Sequence, residues 1–77
     1  MKEKIVDIIK GIVADFDVEE TALIDNGVLS SLEVLQVIVE INNEFNISIP
    51  ASAIKPENFN SVVAISKVVE SAIEGRE

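Results

Sequence analysis

The chain has 77 residues, and its 14 acidic and 6 basic side chains give a formal net charge of −8 at pH 7, which repels nucleic acid phosphates and anionic membranes. The sequence contains no cysteine and no histidine, which excludes disulfides, thiolate or imidazole catalysis and the usual zinc sites. Its length suits one domain over residues 1–77, and without a secretory pattern or an apolar run of about 18 residues we expect a cytoplasmic protein that does not insert into membranes.

The first predicted element is a helix near the N-terminus. Its apolar side chains recur at the spacing of one helical face and comprise Ile5, Ile8, Ile9, Ile12, Val13 and Phe16. This spacing predicts an amphipathic helix over about residues 2–15, with charged side chains on its opposite face. The pattern stops over residues 15–29, where an acidic cluster followed by Asp25-Asn26-Gly27 predicts a long loop containing a turn.

The acidic part of this loop resembles the start of a calcium site. Asp15, Asp17 and Glu19 have the first spacings of an EF-hand loop. The sixth position, however, is Glu20 where the EF-hand requires glycine, and the twelfth is Asn26 where it has glutamate. We therefore reject a calcium site and expect no metal site.

The second predicted helix begins at a pair of serines, in the tetrapeptide Ser30-Ser31-Leu32-Glu33. Ser30 and Glu33 have the spacing of a capping box, in which the serine oxygen accepts from a backbone N–H and the carboxylate reaches back to the cap. Ser31 then has no structural task. Its hydroxyl lies beside free amides and the positive end of the helix dipole, a favourable place for a covalently attached phosphate. From these residues alone, Ser31 is either such an attachment point or a second solvated serine.

The second helix is predicted over about residues 31–44, and most of its circumference is apolar. Its polar side chains fall within an arc of about 100° and comprise Glu33, Gln36, Glu40, Asn43 and Glu44. This distribution is expected for the central helix of a small bundle with one strip in water. We therefore assign to the core the apolar residues Leu32, Val34, Leu35, Val37, Ile38, Val39 and Ile41.

Two prolines interrupt the chain after this helix. Pro50 and Pro56 bracket residues 51–55, which have room for one short helix or an irregular turn before the chain breaks ahead of Pro56. We expect a short third helix there.

A last helix is predicted over about residues 61–74, with Asn60 or Ser61 as its cap and Gly75 as its stop. Together the elements predict an all-α fold. It is a small four-helix bundle with a long loop between helices 1 and 2 and a short third helix.

The segment Asp25-Asn26-Gly27-Val28-Leu29-Ser30-Ser31-Leu32 resembles the modification loop of acyl carrier and peptidyl carrier proteins. The likeness continues through Phe45-Asn46-Ile47-Ser48-Ile49-Pro50 and the final amphipathic segment, so it spans nearly the whole chain. The resemblance implies a bundle of the acyl-carrier type. It also implies that Ser31 receives 4′-phosphopantetheine, whose terminal thiol carries an acyl or aminoacyl group as a thioester. Ser30 stands where the family usually has an aspartate that contacts the modifying transferase, although serine caps a helix about as well.

The resemblance implies partners as well: a phosphopantetheinyl transferase, an enzyme that loads the acyl or aminoacyl group, and a downstream acyltransferase or synthase. We expect a monomer that meets them through side chains around Ser31 and along the second helix. The candidate partner-binding residues are Ser30, Leu32, Glu33, Gln36, Glu40, Glu44 and Ile54.

Two details differ from fatty acid carriers and favour dedicated aminoacyl carriers, and the first of them is similar to D-alanyl carrier proteins. One is the long stretch over residues 50–59. The other is the dilution of the acidic strip of the second helix by Gln36, Asn42 and Asn43. Neither detail identifies the cargo or the pathway.

An unmodified helical interaction module of the same fold is the alternative function, and serine in place of aspartate at position 30 is its best support. An autonomous enzyme is disfavoured, because no histidine or lysine base stands in a recognisable motif with a serine and no metal-ligand cluster is present. We therefore expect a carrier protein without catalytic residues.

Overall fold

Three α-helices and two short 3₁₀ turns form the structure, a computed structural model that describes residues 1–75. Helix α1 spans Lys2–Ile12, α2 spans Ser31–Phe45 and α3 spans Val62–Gly75. The 3₁₀ turns, Ala51–Ala53 and Pro56–Asn58, lie between α2 and α3. The described residues contain no strand, so the predicted all-α class is confirmed. Within them, no helix has both the length and the apolar character needed to cross a bilayer.

Helix α1 ends earlier than the apolar spacing predicts, at Ile12 rather than near Asp15. Val13 has already left the helical region, with φ −126° and ψ 100°. Gly11 is a poor helix former. A longer helix would also place the carboxylate of Asp15 at the negative end of the helix dipole, where an anion is unfavourable. Val13 and Phe16 still pack against the core, but they do so from the loop.

The predicted third helix is replaced by the two 3₁₀ turns. Lys55 lies between them and is extended, with φ −132° and ψ 147°. The ring of Pro56 disfavours the helical region for the residue before it, which explains the break. The sequence predicts this break but not the division into two turns. The four predicted helices therefore become three α-helices within residues 1–75.

The core lies where the helices meet, and α1 packs against both α2 and α3. Loops contribute to it as well as helices. Its buried apolar residues are Ile5, Ile9, Leu23, Leu29, Val34, Val37, Ile38, Ile41, Ile47, Ile49, Phe59, Val62, Ile65 and Val69. Ser66 is also buried, and its hydroxyl donates to Val63 O at 2.7 Å. This hydrogen bond removes most of the cost of burying the hydroxyl.

Helix α2 is buried on one side only, which corrects the prediction that all its apolar residues belong to the core. Leu32, Leu35 and Val39 are 68%, 53% and 56% exposed. In a bundle of three helices, α2 has neighbours on one side, and no described residue covers these three. We call Leu32, Leu35 and Val39 the apolar strip. The residues of α2 that are buried are Val34, Val37, Ile38 and Ile41.

Helix α2 ends at a left-handed residue. Asn46 has φ 53° and ψ 51°, a conformation that asparagine tolerates better than most residues. Asn42 ties the following chain back to the helix. Its backbone oxygen accepts from Ile47 N at 3.1 Å, and its Oδ1 accepts from Ile49 N at 3.1 Å. This arrangement buries Ile47 and Ile49 and leads the chain to the first 3₁₀ turn.

Candidate functional site

The N-terminus of α2 carries the predicted capping box. Ser30 is the N-cap residue, with an extended backbone at φ −79° and ψ 170°. Its Oγ accepts a hydrogen bond from Glu33 N at 3.3 Å, and its own N–H donates to Glu33 Oε1 at 2.8 Å. Each side chain thus satisfies a backbone amide of the other residue, and this prediction is confirmed.

Loss of this cap should cost measurable stability. Ser30→Ala leaves the Glu33 N–H without its acceptor, so we expect the free energy of unfolding to fall by about 1 kcal/mol in urea denaturation followed by circular dichroism. Ser31→Ala is the matched control, because the Ser31 hydroxyl makes no hydrogen bond within residues 1–75, and its effect should stay within about 0.5 kcal/mol. Equal losses in the two variants would contradict the assignment of the cap to Ser30.

Ser31 occupies the first helical position and is exposed. Among the described residues, the amides of Ser31 and Leu32 also lack hydrogen bonds, whereas Glu33 N donates to Ser30 Oγ and Val34 N donates to Ser30 O at 2.9 Å. A hydroxyl, two free amides and the positive end of a helix therefore lie together. No carboxylate or amine within residues 1–75 is hydrogen-bonded to the Ser31 hydroxyl. Within residues 1–75, no general base is therefore placed to activate this hydroxyl as a nucleophile.

A mostly apolar cleft of about 260 Å³ opens beside Ser31. Ile54, which lies between the two 3₁₀ turns, lines it together with Ser31, so the structure brings this predicted partner-binding residue close to the predicted attachment residue. Lys55 is the one charged residue of the lining. The full lining comprises Ile24, Ser31, Val34, Leu35, Ile54, Lys55, Pro56 and Phe59.

The loop that leads into α2 is held by a tight turn and two buried leucines. Gly27 has φ +76°, a left-handed conformation that is strained for residues with a Cβ. Its N–H donates to Ile24 O at 3.0 Å, and Leu29 N donates to Leu23 O at 2.9 Å. Leu23 and Leu29 are buried. The turn expected from the Asn-Gly pair is therefore present, and the leucines fix the loop to the core.

Asn60 bonds to this loop, a role that the sequence pattern does not reveal. The cap of α3 is Ser61, whose Oγ accepts from Ala64 N at 3.0 Å. Asn60, the other predicted cap, instead accepts at Oδ1 from Ile24 N at 2.9 Å and from Asp25 N at 3.2 Å. Its partners lie 36 and 35 positions away in the sequence. No local pattern could have indicated a contact over that separation.

The acidic side chain farthest from Ser31 on α2 is engaged within the domain. Glu44 Oε2 accepts from Lys4 Nζ at 2.7 Å and links α2 to α1. This hydrogen bond, together with the charge of Glu44, raises the pKa of Lys4 above its ordinary value. Both side chains are exposed, so the pair adds little to stability. Glu44 also lies about 20 Å along the helix from Ser31, so the structure does not bring it to the predicted attachment residue.

The other predicted partner-binding residues differ in their surroundings. Glu33 is half-buried in the cap, whereas Gln36 and Glu40 are exposed on α2. Ile54 is 38% exposed, and Leu32 belongs to the apolar strip. A docking role for any of them stays a prediction. Within residues 1–75, no three acidic side chains are grouped so as to hold a metal ion.

The chain is similar to known carrier proteins over most of its length. The family described as "Phosphopantetheine attachment site" matches residues 3–69. A D-alanyl carrier protein of Streptococcus uberis is 36% identical over 76 residues, which cover 96% of this chain and 92% of the relative. Aminoacyl carrier protein 1 of Bradyrhizobium diazoefficiens is 32% identical over 79 aligned positions, covering 96% of this chain and 87% of the relative. A D-alanyl carrier protein of Lactococcus lactis subsp. cremoris is 34% identical over 73 residues, which cover 91% of this chain and 92% of the relative. No solved structure matches the chain at a significant level.

The start of α2 fits a group attached through a phosphate ester. The Ser31 hydroxyl is exposed, and the free amides of Ser31 and Leu32 can donate to phosphate oxygens. Leu35 and Ile54 offer apolar surface in the adjoining cleft. Both the polar and the apolar parts of such a group would therefore find suitable contacts.

Proposed function

The chain belongs to the phosphopantetheine-attachment family of carrier proteins, and on that premise we propose that Ser31 bears its prosthetic group and that the protein holds an acyl or aminoacyl group for partner enzymes. The group is 4′-phosphopantetheine, covalently attached to a serine. The protein is a carrier and not an enzyme. The proposal treats residues 1–77 as a single carrier domain, of which the structure describes residues 1–75.

The observation that carries the assignment of Ser31 is the difference between the two neighbouring serines. Ser30 Oγ accepts the cap hydrogen bond from Glu33 N at 3.3 Å, whereas the Ser31 hydroxyl has no partner within residues 1–75. Elsewhere, Ser61 caps α3 and Ser66 is buried. Among the serines of residues 1–75, Ser31 alone combines an exposed, unbonded hydroxyl with the N-terminus of an α-helix.

When attached, the group supplies a terminal thiol that can hold an acyl or aminoacyl cargo as a thioester. The chain's own residues bind and orient. The amides of Ser31 and Leu32 would donate to its phosphate oxygens at the helix N-terminus. Leu35 and Ile54 provide apolar contacts, and Lys55 offsets part of the negative charge of a −8 domain beside the site.

A small aminoacyl cargo fits this site best. The similar proteins include D-alanyl carrier proteins and an aminoacyl carrier protein. The cleft beside Ser31 has about 260 Å³, which is smaller than the roughly 300–1,000 Å³ of pockets that enclose drug-sized ligands. The cleft therefore suits a small cargo better than an enclosed long acyl chain, and we propose that the cargo is presented in solvent.

The partners dock, in this proposal, on the face of α2 next to Ser31. Family membership implies a phosphopantetheinyl transferase and enzymes that load and accept the cargo. The apolar strip supplies an exposed row of apolar side chains at that place, and such surface marks interaction sites on small soluble domains. Gln36 and Glu40 flank it, and Ile54 extends it across the cleft.

The absence of cysteine from the sequence gives a direct test of carriage. Any free thiol on the protein must belong to the prosthetic group. Apo protein should show no thiol with Ellman's reagent, and protein treated with coenzyme A and a broad-specificity transferase should show one thiol per chain. Acylation should remove this thiol, and neutral hydroxylamine should restore it, as expected for a thioester. A treated wild type that gains no thiol would contradict the proposal and favour an unmodified interaction module.

Restoring the family's aspartate should speed modification. Ser30→Asp keeps the cap, because aspartate also accepts from the Glu33 amide and suits the helix dipole. It also adds the charge that the transferase contacts in the family. We expect a higher initial rate of modification with the free energy of unfolding changed by less than about 0.5 kcal/mol. Ser30→Asn, which caps without charge, is the matched control. An unchanged rate in Ser30→Asp would show that the transferase does not read a charge at this position.

A further inference from the structure

We propose that Asn60 is a positioning residue for the modification of Ser31, because it holds the loop over residues 22–29 in the shape that a transferase meets. The inference rests on the proposed function, since it concerns the rate at which Ser31 is modified.

Three polar groups of Asn60 bond to the loop. Its backbone oxygen accepts from Leu23 N at 2.8 Å, and its Oδ1 accepts from Ile24 N at 2.9 Å and from Asp25 N at 3.2 Å. Its Nδ2 donates to Asp25 Oδ2 at 3.4 Å. Three successive backbone amides of the loop, those of Leu23, Ile24 and Asp25, thus donate to Asn60.

Asn60 itself is held in place by its neighbours in the chain. It directly follows Phe59 and lies two positions before Val62, and both of these side chains are buried in the core. The intervening residue, Ser61, caps α3 and accepts at its backbone oxygen from Ile65 N at 3.0 Å. The position of Asn60 is therefore fixed by the core and by α3, independently of the loop.

The restraint continues from the loop to the attachment site. Leu23, held by Asn60, accepts at its backbone oxygen from Leu29 N at 2.9 Å. Leu29 is followed directly by the cap residue Ser30 and then by Ser31. Loss of the Asn60 side chain would keep the backbone hydrogen bond from Leu23 N but remove the acceptor of the neighbouring Ile24 and Asp25 amides, and a loop with fewer hydrogen bonds samples more conformations.

The expected effect of Asn60→Ala is on the binding of the transferase. If only a fraction of the protein presents the loop in the required shape, KM rises by the inverse of that fraction while kcat stays the same. Two hydrogen bonds from loop amides to the Asn60 side chain are lost, of which the one from Ile24 N is partly buried, so we expect KM for the apo protein to rise roughly tenfold. The value of kcat should stay within about twofold. Initial rates with coenzyme A and a broad-specificity transferase measure both constants.

Asn42→Ala is the matched control. Asn42 is also partly buried, and its Oδ1 accepts from a backbone amide, Ile49 N at 3.1 Å, near the end of α2 opposite Ser31. This variant loses the same kind of hydrogen bond without releasing the loop, so its KM should match the wild type. Urea denaturation must show that both variants are fully folded under the assay conditions.

A side-chain exchange separates positioning from a general structural role. Asn60→Asp keeps an acceptor for Ile24 N but sets its carboxylate against that of Asp25, so KM should rise. Combining it with Asp25→Asn exchanges donor and acceptor and should return KM to within about twofold of the Asp25→Asn single variant. A KM that stays as high in the double variant as in Asn60→Asp, or that only follows the unfolded fraction measured in urea, would contradict positioning.

Two outcomes would overturn the inference without touching the proposed function. One is that the wild type is modified at Ser31 and that Asn60→Ala has the same KM as the wild type. The other is hydrogen exchange of the Ile24 and Asp25 amides that is no faster in apo Asn60→Ala than in the apo wild type. The exchange measurement needs no transferase, so it tests the loop even if the wild type proves unmodified, which is the separate failure of the proposed function.

Discussion

Ser31→Ala is expected to abolish phosphopantetheine attachment completely and to leave the domain folded. In the proposed function the Ser31 hydroxyl oxygen forms the phosphate ester, so its removal leaves no atom to attach at this position. Within residues 1–75 the same hydroxyl makes no hydrogen bond, and alanine is the best helix former. Intact mass after incubation with coenzyme A and a broad-specificity transferase should show no addition, while circular dichroism matches the wild type.

Ser30→Ala distinguishes the two serines in the same assay. It removes the cap hydrogen bond to Glu33 N but leaves the Ser31 hydroxyl in place. We expect its mass to rise by one phosphopantetheinyl group although it is the less stable protein. Modification of Ser31→Ala, or none of Ser30→Ala in its folded state, would contradict the assignment.

A polar substitution in the apolar strip should weaken the binding of the transferase. Leu35 is 53% exposed and also lines the cleft beside Ser31. If partners bury it, Leu35→Gln should raise KM for the transferase roughly tenfold, a typical loss for a central interface residue. This rise in KM should persist at high salt, because salt does not screen the burial of apolar surface. Glu40→Lys should instead change the rate of modification strongly at low ionic strength and weakly at physiological salt. At physiological salt the attraction between exposed charges is screened beyond a Debye length of about 8 Å.

Two exposed valines provide the control for this surface. Val39 in the strip and Val63 on α3 are 56% and 48% exposed. Val39→Asn and Val63→Asn make the same chemical change at similar exposure, so their effects on stability should be alike. We expect KM to rise in Val39→Asn only. Equal values of KM would show that the strip merely faces water.

The parts of the site that short-range chemistry determines could be predicted from the sequence. The Ser30 and Glu33 pair predicts the cap because both hydrogen bonds lie within one helical turn. The Asn-Gly pair predicts the turn at Gly27 because its φ of +76° suits glycine. Local patterns of this kind need no knowledge of the rest of the fold.

The parts that depend on neighbours in space could not be predicted in this way. Helical spacing shows that Leu35 and Val39 are apolar, but only the arrangement of three helices shows that nothing within residues 1–75 covers them. Asn60 looks like a helix cap until its partners, 36 and 35 positions earlier in the chain, are known. Glu44 looks like a free docking charge until Lys4 is found at 2.7 Å.

The most direct test of the central claim is to locate the prosthetic group on the wild-type protein by mass spectrometry. The apo protein is treated with coenzyme A and a broad-specificity transferase, its intact mass is measured, and its peptides are fragmented to identify the modified residue. We expect a single phosphopantetheinyl group on Ser31. An unchanged mass, or a group found on Ser30 or any other serine, would contradict it.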